Sequence, residues 1–299
     1  MISSAILRSC LLAARPKTLP AAIVPVWTGC VLAWTLKGAF DAWLAACTLL
    51  GALAIQVATN FFNDAIDHRK GADTAHRLGP QRVTASGLLS PLAVMAVAGL
   101  SLVIATLCGV VLYQARGWPI VAIGLPSLFL AYGYTGGPFP LAYRGMGEIF
   151  VILFFGFVAV AGTVFVQTGG WPQEAFLLGG QVGLLSALLI SINNFRDREE
   201  DATTGKRTFA VRFGAKTAAA LIWLEIKIAA FAGLLWLFYG MPQFLLASLP
   251  VMLVGPRVIW VVLTRPPGPE YNRTLALAGM QLVLFAAVFH LAAALSGNG

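Results

Sequence analysis

Two groups of Asn and Asp residues, spaced three or four positions apart, each follow a long apolar segment. They are Asn60, Asp64 and Asp67 in the first half of the chain, and Asn193, Asp197 and Asp201 in the second. Residues at these spacings lie on one face of an α-helix, so we expect each group to share a helical face.

Such acidic groups are electrostatically unfavourable on their own. Carboxylates at the C-terminal end of a helix repel one another and face the negative end of the helix dipole, unless a cation joins them. Oxygen ligands suit Mg²⁺, which proteins usually hold with one or two carboxylates together with substrate phosphates. The sequence therefore predicts a catalytic metal set that binds Mg²⁺ and a diphosphate, made of Asp64, Asp67, Asp197 and Asp201.

The composition is that of an integral membrane protein. Hydrophobic residues make up 59% of the chain and charged residues 11%, against about a quarter charged in soluble domains. Apolar runs of about 20 residues, long enough to cross a ~30 Å hydrocarbon core, occur about nine times. They lie near residues 19–36, 42–63, 91–113, 118–135, 147–168, 174–195, 216–238, 242–263 and 272–295. Uninterrupted runs predict helices rather than a membrane barrel, in a single domain covering 1–299.

The formal charge of +8 is a topology signal here, and we expect no nucleic-acid partner. Most Arg and Lys residues precede the first span or lie in and beside the loops that follow even-numbered spans. The opposite loops carry little more than Lys37 and Arg116. The positive-inside rule then places the N-terminus and both Asp clusters on the cytoplasmic side.

The N-terminal segment precedes the first predicted span. Residues 1–20 lack an apolar core followed by a small-residue cleavage site, so no signal peptide is predicted. We expect an amphipathic segment at the membrane interface, with Ile6, Leu7 and their neighbours facing lipid. Arg15 has two interpretations, as a topological anchor or as a residue that reaches the diphosphate.

A Gly- and Pro-rich segment, 132–148, joins the fourth and fifth predicted spans on the same side as the Asp clusters. Its aromatic residues Tyr134 and Tyr143 are either interface-belt residues or the mouth of a pocket. In the second case, Arg144 is directed at phosphate oxygens.

The two clusters also suggest an internal repeat. Asn60 and Asp64 match Asn193 and Asp197, each pair closing an apolar helix, which predicts a duplicated four-helix unit followed by a ninth helix. Later charged residues within apolar spans are interpreted as snorkelling or paired structural groups, and His290 as a packed or interfacial residue. These charged residues are Glu225, Lys227 and Arg257.

These motifs together resemble the UbiA superfamily of intramembrane aromatic prenyltransferases. The resemblance rests on four segments: Arg15 to Pro20, Asn63 to Asp73, Tyr134 to Leu141, and Asn193 to Lys206. The superfamily pattern Asn-Asp-x-x-Asp-x-x-x-Asp is broken, because Gly71 occupies its last position and Asp73 lies two residues further on. This shift is typical of the branch that acts on 1,4-dihydroxy-2-naphthoate in menaquinone synthesis.

The resemblance implies nine helices around a central cavity that opens to lipid and is capped by cytoplasmic loops, in a bacterial inner membrane. It implies Mg²⁺-dependent transfer of a polyprenyl group from polyprenyl diphosphate to an aromatic acid acceptor. The implied diphosphate-binding residues are Arg15, Asn60, Asn63, Lys70, Arg144, Asn194, Lys206 and Arg207. The implied acceptor or cation pocket comprises Phe62, Asp73, Tyr134 and Tyr143.

Other functions compete with this one. Within the superfamily the rival acceptor is 4-hydroxybenzoate, and small residues in the turn 135–140 would leave room for a second fused ring. From another class, a secondary transporter usually binds near the bilayer midplane at broken helices. A quinone-binding scaffold without catalysis would have little need of paired carboxylates. The oligomeric state and the prenyl chain length are left open.

Overall fold

The computed structural model describes residues 4–73, 78–79 and 81–297. Within these ranges every regular element is helical. Arg77, one of the basic residues used to predict the topology, lies outside the described residues.

Twelve α-helices are found in the described residues. They are α1 (Ser4–Ala14), α2 (Pro20–Lys37), α3 (Ala42–Arg69), α4 (Pro91–Arg116), α5 (Trp118–Gly133), α6 (Gly147–Val151), α7 (Gly162–Thr168), α8 (Gln173–Arg196), α9 (Arg198–Thr203), α10 (Phe209–Phe231), α11 (Leu249–Thr264) and α12 (Tyr271–Leu295). A π-helical stretch, Ile152–Ala161, joins α6 to α7. The 3₁₀ stretches Ala232–Leu237 and Pro242–Ser248 follow α10 and precede α11.

Eight helical segments among the described residues are long and apolar enough to cross a membrane. The shorter apolar helix α5, with 16 residues, corresponds to the predicted span 118–135. Large apolar side chains cover the outside of the bundle, as in Leu92 (80% exposed) and Phe238 (85%), which suits a lipid environment. The chain is therefore an all-α, multi-pass membrane protein.

Helix boundaries follow local sequence signals. Asp41 accepts a hydrogen bond from the Leu44 amide at 3.0 Å and begins α3. Ser90 accepts one from the Ala93 amide at 3.2 Å, with Pro91 at the first position of α4. Gly38 ends α2 with φ of 60°, a conformation that glycine adopts without strain.

Helix α8 is the centre of the bundle. Of its most apolar window, 72% is buried, against 28% in α3 and in α4. It packs closely against the π-helical stretch, because a Cβ added at Gly156 would lie 2.3 Å from the Gly179 carbonyl oxygen. Small residues at both surfaces let the two backbones approach.

Two sequence-based expectations differ from the structure. Helix α3 continues beyond the predicted span 42–63 to Arg69, so Asn60, Asp64 and Asp67 lie on one helix, as their spacing predicted. The second cluster does not follow one continuous helix, because Asp197 ends α8 with φ of −91° and ψ of 6°, and Asp201 lies on α9. Glu225, interpreted as a snorkelling or paired group, is 1% exposed and accepts a hydrogen bond from Ser191, which fits the paired alternative.

The N-terminal helix α1 has an exposed apolar surface, as the sequence predicted. Ile6, Leu7, Leu11 and Leu12 are each between 46% and 59% exposed. Ser9 and Ala13 are buried on its other side. Such a surface suits an interfacial helix.

Candidate active site

A cavity of about 600 Å³ lies between the helices. Along α3 its wall runs from Thr48 to Asp67, about 28 Å of helix at 1.5 Å per residue. The residues nearer the start of α3 are mostly small or apolar, including Gly51, Ala52 and Ile55. Polar side chains line the cavity near the C-terminal ends of α3 and α8. They include Arg15, Lys17, Asn60, Asn63, Asp67, Arg82, Glu148, Asn193, Asn194 and Lys206.

Asp67 is the point at which several elements meet. Its carboxylate accepts hydrogen bonds from Tyr143 Oη at 2.9 Å and from Arg82 Nη2 at 3.3 Å. Lys206 Nζ lies 3.7 Å from the same carboxylate and 3.9 Å from Asp201. One acid from each cluster therefore approaches a shared ammonium, so the clusters lie at the same end of the bundle.

The other two predicted metal ligands have different contacts. Asp64 is 1% exposed and accepts hydrogen bonds from the backbone amides of Val83 at 3.2 Å and Thr84 at 2.9 Å. Asp197 forms a two-pronged ion pair with Arg196, at 2.6 and 2.7 Å. Neither these two side chains nor that of Asp201 lines the cavity. In the described parts of the chain, no three His, Cys, Asp or Glu side chains converge as a metal site.

Arg196 is a buried organising group of the second cluster. It is 2% exposed, and besides Asp197 it donates to Asn193 and to Asn272, both at 2.8 Å. Asn272 in turn donates to the Leu78 carbonyl at 3.1 Å. This network connects the end of α8 to the start of α12 and to the loop after α3.

Several predicted diphosphate-binding residues lie in the cavity wall. Asn60 donates to the Ala14 carbonyl at 2.9 Å and to Thr18 at 3.2 Å, and thereby fixes the segment that carries Arg15. Arg15 itself has φ of 50°, an unusual backbone conformation for a residue other than glycine. The remaining members of this group that line the cavity are Asn63, Asn194 and Lys206.

Lys70, Arg144 and Arg207 have side chains that do not line the cavity. Lys70 donates to the Thr135 carbonyl at 2.8 Å, and partial burial of its ammonium lowers its pKa while Asp67 opposes the change. Arg144 is exposed and stacks on Phe139, with 3.6 Å from Cζ to the ring centroid. Arg207 is also exposed. The diphosphate role of these three residues stays a prediction.

The aromatic residues of the predicted pocket do not all line the cavity. Tyr134 lines the cavity and is partly buried. Tyr143 does not line it, because its ring face is covered by the Lys70 ammonium at 4.0 Å and its hydroxyl binds Asp67. Burial and Asp67 both raise the pKa of Tyr143, so it stays a hydrogen-bond donor. Phe62 is buried against Tyr132 and lies outside the wall.

The structure gives a physical reason for the altered first motif. Gly71 has φ of 69°, which is strained for an aspartate, whereas no atom of the described residues lies within 4 Å of a Cβ added there. Asp73, two residues later, pairs with Arg82 at 3.2 Å rather than lining the cavity. Arg82 therefore connects the first motif to the loop that precedes α4.

The two glycines of the turn 135–140 do not line the cavity. A Cβ at Gly136 would lie 2.7 Å from the Tyr132 ring and 3.0 Å from Ile66. Gly137 has φ of 73°. Thr135 of the same turn does line the cavity, and room for a second fused ring beside this turn stays a prediction.

Sequence reasoning missed three charged residues of the cavity wall, which are Lys17, Arg82 and Glu148. In the sequence Arg82 is one basic loop residue among several, and only the fold brings it to Asp67 and Asp73. Glu148 lines the cavity and accepts a hydrogen bond from Asn194 at 2.8 Å. Its position at the start of an apolar span was the available signal, since acids within membrane spans are usually functional.

Comparison with known proteins identifies the family. The chain matches the UbiA prenyltransferase family over residues 22–285. The chain belongs to this family. It is 33% identical over 296 residues to a 1,4-dihydroxy-2-naphthoate octaprenyltransferase of Haemophilus influenzae, covering 93% of each chain. A Mycobacterium leprae protein of the same name is 32% identical, with 95% of this chain and 96% of the relative covered.

The UbiA fold is also found among solved structures. A UbiA homologue from Archaeoglobus fulgidus, bound to GPP and Mg²⁺, superimposes with a TM-score of 0.64 at 17% identity. The superposition covers 96% of this chain and 99% of the homologue. This UbiA family member therefore has the fold of an intramembrane prenyltransferase along nearly its whole length.

Proposed function

We propose that this UbiA family protein transfers a polyprenyl group from polyprenyl diphosphate to 1,4-dihydroxy-2-naphthoate, with release of pyrophosphate and CO₂. The observation that carries the proposal is the polarity of the cavity. Basic and amide side chains gather near the ends of α3 and α8, and a long apolar wall extends from them along α3. A molecule with an anionic head and a hydrocarbon tail is complementary to both parts.

The acids near this polar end suit Mg²⁺. They offer oxygen ligands, and one carboxylate from each cluster already approaches a shared cation, the Lys206 ammonium. Mg²⁺ is commonly held by one or two carboxylates plus substrate phosphates, so a cage of three protein acids is not required. The residues we assign are Asp67 and Asp201, with Asp64 and Asp197 completing the proposed set. The GPP and Mg²⁺ bound to the Archaeoglobus fulgidus homologue support a prenyl diphosphate and Mg²⁺ as the ligands.

When bound, Mg²⁺ would supply charge neutralisation for the diphosphate as it becomes a leaving group. Arg15, Lys17 and Lys206 line the polar end and bind phosphate oxygens through charge-assisted hydrogen bonds. Asn63 adds a neutral hydrogen-bonding group there. The apolar wall holds the prenyl tail and excludes water, which would otherwise capture the allylic cation.

The proposed reaction balances without an external base at the ring carbon. The allylic C–O bond breaks, and pyrophosphate leaves with the electron pair. The ring carbon that bears the carboxylate forms the new C–C bond, and the C–CO₂ bond then breaks, which restores aromaticity. The acceptor is proposed from the Gly71-x-Asp73 spacing and from the names of the relatives in Haemophilus influenzae and Mycobacterium leprae.

The proposal extends to location and organisation. We place the protein in the bacterial cytoplasmic membrane with its N-terminus in the cytoplasm, because basic residues are concentrated on that side. All of 1–299 is proposed to form one catalytic domain, since the cavity wall takes residues from Arg15 to Leu275.

The test is turnover by the purified protein in lipid nanodiscs. It is supplied with Mg²⁺, a polyprenyl diphosphate and either 1,4-dihydroxy-2-naphthoate or 4-hydroxybenzoate, each with a labelled carboxylate. We expect prenylated product and equimolar labelled CO₂ from the naphthoate, loss of turnover with EDTA, and recovery with Mg²⁺. Preferred prenylation of 4-hydroxybenzoate, with its carboxylate retained, would overturn the acceptor assignment and leave the family intact.

A further inference from the structure

Glu148 has an incompletely satisfied carboxyl group in the cavity wall. It is 4% exposed, and Asn194 Nδ2 donates to its Oε1 at 2.8 Å. Its second oxygen, Oε2, is buried and has no hydrogen-bond partner among the described residues. A buried acceptor without a partner is costly, at about 1–3 kcal/mol or more for a charged group.

Glu148 lies beside two other polar residues of the cavity wall. It is in the first turn of the short helix α6. Tyr134 is close, since a Cβ added at the adjacent Gly147 would lie 2.8 Å from the Tyr134 hydroxyl. Tyr134, Glu148 and Asn194 all line the cavity. They form a polar patch whose members come from three segments of the chain.

An anionic diphosphate is a poor partner for this patch, because a carboxylate repels it. A hydroxyl group fits better, since it can donate a hydrogen bond to Oε2 when the carboxyl group turns this buried oxygen toward the cavity. Among the described residues, the other charged groups of the cavity wall are Arg15, Lys17, Asp67, Arg82 and Lys206. Most of them are basic and suit the diphosphate. The cavity therefore contains a carboxyl group whose chemistry suits the hydroxylated acceptor rather than the prenyl donor.

We propose that Glu148 binds a ring hydroxyl of the aromatic acceptor and so fixes the orientation of the ring in the cavity. This inference rests on the proposed function, because it assigns a residue to the second substrate. Asn194 acts as a positioning residue that holds the Glu148 carboxyl through Oε1.

Glu148→Gln tests this inference with little change in the size of the side chain. Glutamine has the same size and keeps an oxygen for the Asn194 hydrogen bond, but it presents an NH₂ donor where Oε2 was. Glu225→Gln is the matched control, because Glu225 is 1% exposed and accepts a hydrogen bond from Ser191 at 2.7 Å. Its Oε2, like that of Glu148, has no partner within the described part of the chain. Glu225 is not part of the described cavity wall.

Equilibrium dialysis of the full chain in nanodiscs measures the Kd of 1,4-dihydroxy-2-naphthoate and of 4-hydroxybenzoate, and kinetics give the KM of the prenyl diphosphate. We expect Glu148→Gln to raise the acceptor Kd by about 10-fold or more, as for loss of a hydrogen bond to a charged group. The donor KM should stay unchanged, and Glu225→Gln should leave both values unchanged.

Two outcomes would overturn the inference. One is an acceptor Kd that Glu148→Gln does not change, and the other is an equal rise for both substrates, which indicates a structural role. If Glu148→Gln fails to fold, Glu148→Asp replaces it, since the shorter side chain withdraws the oxygen while keeping the charge. Wild-type protein that binds the naphthoate but does not prenylate it would contradict the proposed function alone. Wild-type protein that binds neither acid would contradict both.

Discussion

At the scale of single residues, the acids of the two clusters have different roles. Asp64 accepts hydrogen bonds from two backbone amides, and Asp197 neutralises Arg196. Asp67 and Asp201 instead approach Lys206. Mutations of these acids should therefore separate stability from turnover.

Asp197→Asn should destabilise the protein as well as lower turnover. It leaves the Arg196 guanidinium, 2% exposed, without its counter-charge, and breaking a buried pair costs about 3–5 kcal/mol. The measurement is unfolding in detergent, followed by circular dichroism. Glu199→Gln is the control, because Glu199 pairs with Arg198 at the surface and its side chain is 83% exposed. Equal stability of the two variants would contradict the structural role of Asp197.

Asp67→Asn should act mainly on turnover. Lys206 and Arg82 each retain a second carboxylate, Asp201 and Asp73, so neither cation loses every partner. The substitution removes the negative charge of a proposed Mg²⁺ ligand in the cavity wall, so we expect a fall of about 100-fold in kcat/KM, which corresponds to about 2.7 kcal/mol of transition-state stabilisation. Turnover and unfolding are measured on the same preparation. Wild-type turnover would show that Asp67 is not part of the catalytic machinery.

At the scale of elements, the position of the cavity depends on how closely helices approach. The π-helical stretch lies against α8 through glycines on both sides, with Gly183 so near that an added Cβ would lie 2.8 Å from the Ile152 carbonyl oxygen. The same stretch contributes Phe154, Phe155 and Val158 to the cavity wall. A change in this spacing therefore changes the apolar part of the site.

Gly156→Ala should push these two elements apart. Its Cβ would lie 2.3 Å from the Gly179 carbonyl oxygen and 2.7 Å from Gly183 Cα, and overpacking typically costs about 1–3 kcal/mol. We expect a lower unfolding temperature and a higher KM for the prenyl diphosphate. Gly180→Ala is the matched control, because its Cβ would meet only the Phe157 ring at 4.0 Å. A Gly156→Ala variant as stable as Gly180→Ala would contradict the close packing.

At the scale of the whole molecule, both clusters lie at one end of the bundle because α3 and α8 end there. Contact of Lys206 with both Asp67 and Asp201 fixes this arrangement. The basic residues near that end make it the cytoplasmic face in our proposal. The side of the membrane can be tested directly.

Single cysteines at Ala85 and Ala202, in a background without the four native cysteines, should resist an impermeant thiol reagent added to intact cells. Both positions are exposed on the folded chain, near Asp73 and Lys206 in sequence. Gln173→Cys, exposed at the start of α8, should be labelled from outside. Labelling of the Ala85 or Ala202 positions in intact cells would overturn the proposed topology.

The sequence by itself determined the fold class, the approximate spans and the location of both Asp clusters at the same end of the bundle. Apolar length specifies a membrane helix because the hydrocarbon core has a fixed thickness. Four spans separate Asp64 from Asp197, and an even number returns the chain to the same side. The motif segments alone indicate the family, and the family match over residues 22–285 confirms it.

Only the tertiary structure decided which polar groups face the cavity. Spacing along a helix does not specify how that helix rotates against its neighbours or where a loop returns. Val83 and Thr84 cover Asp64, Lys70 covers the Tyr143 ring, and Glu148 enters the cavity wall. These contacts join residues far apart in sequence, so their physical cause is the packing of the whole bundle.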